Sequence, residues 1–129
     1  MRRDYRVATG GATLLRAGGP VSWTVLAVLV GLSLVVLFTP ASGVPFAPAG
    51  VDKIVHLVLF GSLAAAGSWA GGSWRVLVVL LVTYAAGSEL LQGLPAVNRS
   101  VSAWDWLADT VGVVLGLSAA RLLARRRHG

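Results

Sequence analysis

Asp105-Trp106-Leu107-Ala108-Asp109-Thr110-Val111-Gly112-Val113-Val114-Leu115-Gly116 is the stretch that decides the fold. Its acids and glycines fall at i, i+4, i+7 and i+11. At 100° per residue they occupy only about 60° of a helical wheel. Two carboxylates and a Gly112-x-x-x-Gly116 pair therefore share one stripe of an otherwise apolar helix. Small residues at this spacing let helix backbones approach closely inside a membrane. The acids on the same stripe should then face a helical bundle and not lipid.

The rest of the chain supplies partners for that helix. Of 129 residues, 56% are hydrophobic and only 12% are charged, with a mean hydropathy of +0.77. A soluble domain of this length carries about a quarter charged residues, so lipid is the expected solvent. A hydrocarbon core of about 30 Å needs roughly 20 apolar residues in a helix. Val21 to Thr39 satisfies this and Pro40 ends it. The rival reading, a cleaved signal peptide ending at Ala41-Ser42-Gly43, is disfavoured because the run exceeds the 7–15 residues of a signal core. Pro40, Pro45 and Pro48 make 40–50 a loop. Asp52 caps or opens a second helix to about Ala70, and Gly71-Gly72-Ser73 turns the chain. A third helix runs from Trp74-Arg75 to about Gln92, and a fourth from about Trp104 to Leu123. The expectation is an all-α membrane bundle of four transmembrane helices. It comprises a basic segment 1–20, the bundle 21–124 and a basic tail 125–129.

Charge sets the direction. Arg2, Arg3, Arg6, Arg16, Arg75, Arg121, Arg125, Arg126 and Arg127 fall on the side of both termini, against Lys53 and Arg99 on the other. Basic residues stay cytoplasmic, so both termini are expected inside. The net charge of +6 reflects these flanks and suits anionic lipid headgroups better than nucleic acid. Trp69 and Trp74 would belt the inner interface, Trp104 and Trp106 the outer one. With no cysteine, disulfides and thiolate chemistry are excluded.

The remaining ionisable groups gather at the outer ends of the spans. Asp52 and His56 are i and i+4 on one face of the second helix, above Phe60 and Leu63. Glu89 lies about 21 Å along the third helix from Arg75, which leaves it about 9 Å below the outer surface. His56 and Asp109 fall near the same depth, beneath a rim of Asp52, Lys53, Gln92, Arg99 and Asp105. Intramembrane charge is costly and usually functional. His56 held by Asp52, with Glu89 and Asp109, would be the acid–base groups. Asp52, Lys53, Gln92, Arg99, Ser100 and Asp105 would bind substrate, the two cations taking phosphate or carboxylate and Asp105 or Asp109 fixing Arg99. One histidine with three or four carboxylates could hold a hard divalent ion, Mg²⁺ or Mn²⁺ more readily than Zn²⁺, but without a closely spaced second histidine this is a minor variant, and neither metal nor cofactor is expected. The competing readings are helix knitting by hydrogen bonds, a non-catalytic scaffold, and a small proton-coupled transporter, possible as a homo-oligomer. Transport is weakest, because the polar groups occupy only one end.

Asp52-Lys53-x-x-His56-x-x-x-Phe60, Glu89-x-x-Gln92 and Arg99-Ser100-x-x-x-x-Asp105-x-x-Ala108-x-x-x-Gly112-x-x-x-Gly116 resemble the VanZ-like family of bacterial membrane proteins. The likeness spans about half the chain. It implies a multi-pass protein of the bacterial plasma membrane, in a family linked to resistance to teicoplanin-type glycopeptides. Its partners would be membrane lipids or an anionic lipid-linked envelope precursor. Where the family usually has Asn, this chain has Asp109, an extra acid. Where a Gly often precedes the arginine, it has Asn98, a change expected to alter only the loop turn.

Overall fold

A computed structural model describes residues 14–126. Residues 1–13 and 127–129 lie outside them, and with them Arg2, Arg3, Arg6, Arg127 and the expectation of basic segments there. The described residues form four long helices and no strands: α1 Pro20–Phe38, α2 Val51–Trp69, α3 Trp74–Gln92 and α4 Ala103–Arg126. Each is long and apolar enough to cross a membrane. The chain is an all-α, multi-pass membrane protein.

Local chemistry accounts for the boundaries. α1 starts with Pro20 at its first position, where the missing N–H costs nothing. It ends one residue before Thr39, whose extended backbone leads into Pro40. α2 is entered through Gly50 at φ +90°, a left-handed conformation suited to glycine. Asp52 therefore lies in the first turn and does not cap the helix by side chain. α3 is capped by Ser73, whose Oγ accepts from Val76 N at 3.4 Å. α4 reaches Arg126, so the helix takes up the first two residues of the expected tail, and Arg125 and Arg126 complement its carboxyl-terminal dipole.

α2 and α4 pack most closely, and the glycine stripe explains why. A Cβ on Gly112 would run into the Leu57 carbonyl oxygen, and one on Gly116 into that of Gly61. No side chain fits there without parting the helices. Around this seam Phe60, Leu63, Ala64, Val113 and Leu117 form the core with Leu37 of α1 and Ala85 of α3. Phe60 meets Tyr84 with ring centroids 5.6 Å apart, and the Tyr84 hydroxyl and Ser33 Oγ are hydrogen-bonded at 3.0 Å. α1 is thus bonded into the bundle. Outward faces stay apolar, with Val28, Val35, Val58 and Val79 each more than half exposed. Such a continuous exposed apolar belt suits acyl chains and not water.

Two ends are distinct. At one, Gly18 N donates to Trp69 O at 2.8 Å, and the Arg75 and Arg121 guanidinium groups lie 5.5 and 4.9 Å from the Trp74 ring. At the other, the 40–50 loop meets the 93–102 loop through Ala41 N and Val97 O at 3.1 Å. There Asn98 adopts φ +52°, which asparagine tolerates better than most non-glycine residues. It lets Arg99 N return to Gln92 O at 2.9 Å.

Candidate functional site

The polar groups of the second end lie within the helices and not only on their tips. His56 is five residues into α2, Asp109 six into α4, and Glu89 three before the end of α3. At 1.5 Å per residue these lie about 4 to 9 Å below the helix ends. His56, Glu89, Asp105 and Asp109 are 2%, 3%, 7% and 0% exposed. Three helices bring one imidazole and three carboxylates to a common place.

His56 Nδ1 donates to Asp109 Oδ1 at 2.9 Å, across the α2–α4 seam. Asp52 does not hold the histidine, contrary to the i and i+4 argument. It stands at the exposed rim, where its Oδ2 accepts from Lys53 Nζ at 3.1 Å. His56 instead points inward along the face that carries Phe60 and Leu63, and the acid opposite that face is Asp109. Asp109 gives the ring a carboxylate acceptor. Such a bond is stronger than one between neutral groups.

Glu89 is anchored by Ser102, a residue outside the expected site. Glu89 Oε2 accepts from the backbone N–H of Ser102 at 2.8 Å, while Ser102 Oγ accepts from Asp105 N at 3.1 Å. Ser102-x-x-Asp105 has the spacing of a capping box, the signal that could have found it. In a usual box the acid returns to the cap's N–H. Here Glu89 of α3 takes that N–H, and the Asp105 carboxylate is left for the site. Lys53 Nζ lies 3.1 Å from Asp105 Oδ1, an ion pair without hydrogen-bond directionality.

Arg99 is not fixed by either aspartate. Its Nη1 donates to Val36 O at 3.1 Å and Leu37 O at 3.4 Å, among the last carbonyls of α1. Gln92 Nε2 donates to Leu37 O at 2.9 Å. A helix end has free carbonyls, and cationic or amide donors satisfy them. These two side chains thus seat α1. Ser100 is exposed in the loop, and Ser102 is the cap. Of the groups expected to form one site, the structure unites His56, Glu89, Asp105 and Asp109, with Lys53 at their edge. Asp52 and Ser100 remain outside.

Glu89 Oε1, Asp105 Oδ1 and Asp109 Oδ2 are buried without a hydrogen-bond partner among the described residues. Leaving such an atom unpaired costs about 1–3 kcal/mol, more when charged. Beside Glu89 a groove of about 320 Å³ opens between α3 and α4, lined by Ala86, Leu90, Val101, Ala103 and Trp106. An apolar groove thus ends on a buried carboxylate. No family model, characterised protein or solved structure matches this chain.

Proposed function

We propose that this is a VanZ-like protein of the bacterial plasma membrane that binds the headgroup of an anionic envelope lipid or lipid-linked precursor at its outer leaflet. The observation that carries the reading is the groove between α3 and α4. Its apolar walls suit an acyl or prenyl chain, and Glu89 stands in its lining beside the buried His56 cluster. A headgroup entering there would meet the Lys53 ammonium at the rim, beside the carboxylate of Asp105.

Orientation follows from charge. Arg16, Arg75, Arg121, Arg125 and Arg126 belong to the end away from the cluster, which supports a cytoplasmic position for that end. The chemistry open to the site is proton transfer. His56, oriented through Nδ1 by Asp109, presents its other nitrogen as base or acid, and Glu89 can act as its counterpart. Hydrolysis or group transfer on a lipid-linked phosphate would use both roles.

Lipid carried through purification in mild detergent tests the reading. Mass spectrometry of the wild-type protein should find an anionic phospholipid or polyprenyl phosphate enriched over the bulk membrane. Lys53→Ala should lower that enrichment at least severalfold while helicity is kept. Bulk lipid composition in the wild-type protein, or equal enrichment in Lys53→Ala, contradicts it.

A further inference from the structure

The site has a property that lipid binding does not require. His56, Glu89 and Asp105 come from α2, α3 and α4, and each offers one ligand atom within 4.8 Å of the other two. Ligands about 2.0–2.2 Å from a metal stand about 3 to 4 Å apart, so small side-chain rotations would close the set. Clustered acids on a surface carry little meaning, but these residues are at most 7% exposed. A second observation points to a cation. Glu89 Oε1 and the neighbouring Asp109 Oδ2 are buried and lack hydrogen-bond partners among the described residues, while Asp105 Oδ1 has the Lys53 ammonium at 3.1 Å.

The charge balance agrees. Four of the five acids in the chain, Asp52, Glu89, Asp105 and Asp109, lie at this end. Among the described residues Lys53 and Arg99 oppose them there, which leaves two negative charges uncompensated when all four acids are ionised and His56 is neutral. Arg99 is engaged with α1 carbonyls, and Lys53 is shared by Asp52 Oδ2 and Asp105 Oδ1 at the exposed rim. One divalent ion would balance this end of an otherwise basic protein.

We propose that His56, Glu89 and Asp105 bind one divalent first-row metal ion of the Mn²⁺ or Zn²⁺ kind. Asp109 is the positioning residue. Its bond to Nδ1 fixes the ring and leaves Nε2 for the ion, the carboxylate–histidine–metal arrangement common in metalloproteins. One imidazole with carboxylates suits these ions, whereas Ca²⁺ and Mg²⁺ favour all-oxygen shells. Each of the three helices contributes one ligand, so no spacing within a single helix marks the site. A bound ion would take the His56 nitrogen and the Glu89 carboxylate that proton transfer would use, so it replaces that acid–base role and leaves the lipid groove as it is; the metal alone is the probe.

Full-length protein in detergent, stripped with chelator, is titrated with Mn²⁺ and the free ion followed by electron paramagnetic resonance. One ion per chain is expected, with affinity at least tenfold weaker in Glu89→Gln and in Asp105→Asn. Absence of stoichiometric binding, or unchanged affinity in both variants, overturns the proposal. If either variant fails to fold, pulsed resonance on the wild-type Mn²⁺ complex decides. A nitrogen coupling from a directly bound imidazole supports the site, and its absence overturns it.

Discussion

At the residue scale the informative pair is His56 and Asp109, buried to 2% and 0% exposure and joined at 2.9 Å. Removing one partner leaves the other buried and unpaired, which costs more than the pair itself contributes. His56→Ala and Asp109→Ala should each destabilise the protein by about 2–4 kcal/mol, and the double variant by clearly less than their sum. A double-mutant cycle on unfolding in mixed micelles measures this coupling, and strict additivity would show that the two do not interact. Lys53→Met bears on the same site from its rim. Removal of an ammonium 3.1 Å from Asp105 Oδ1 should tighten Mn²⁺ binding, as the titration can read directly. The residue types of the site were legible in the sequence, because ionisable groups are rare in apolar spans. Their pairing was not. Periodicity places Asp52 and His56 on one face of α2, but it says nothing of what α4 presents opposite. Depth and rotation of a neighbouring helix decide that Asp109, and not Asp52, is the partner.

At the element scale the glycine stripe of α4 is the feature that the sequence showed most clearly. Gly112 and Gly116 sit where a Cβ would meet the carbonyls of Leu57 and Gly61. Replacing either with Ala should force α2 and α4 apart at a cost of about 1–3 kcal/mol, as for other overpacked contacts. Gly87→Ala in α3 is the contrast, since nothing lies within 4 Å of a Cβ there. It should be neutral or slightly stabilising, because alanine favours the helix. Thermal unfolding in detergent compares the three, and equal losses would mean that the seam is not closely packed. The helix limits were nearly legible as well, missing by a residue at α1 and by three at the end of α4. Apolar runs ended by Pro or Gly are local signals. The basic end of α4 was read as tail because charge resembles a boundary, although arginine extends a helix readily. The Glu89–Ser102 bond was illegible for another reason: it joins two elements through a backbone N–H, which no side-chain pattern encodes.

At the scale of the whole molecule two asymmetries coincide. Aromatic and arginine contacts mark one end, at Trp74 and Arg121, and the buried acids mark the other. In right-side-out membranes a cysteine at Ser42 should react with an impermeant maleimide, and one at Arg125 should not until the membrane is opened. The reverse pattern would turn the site toward the cytoplasm and remove the outer-leaflet reading. Beneath both the lipid and the metal proposals lies one geometric claim, that the imidazole of α2 and the carboxylates of α3 and α4 meet inside the bundle. The chain has no cysteine, so paired cysteines can test it without background. Cysteines at His56 and Asp109, treated in membranes with a short bifunctional thiosulfonate, should bridge and lose later maleimide labelling. Cysteines at Val58 and Asp109 should stay separate, because Val58 faces outward at 56% exposure. Free thiols in the first pair, or bridging as efficient in the second, would contradict the convergence on which the account stands.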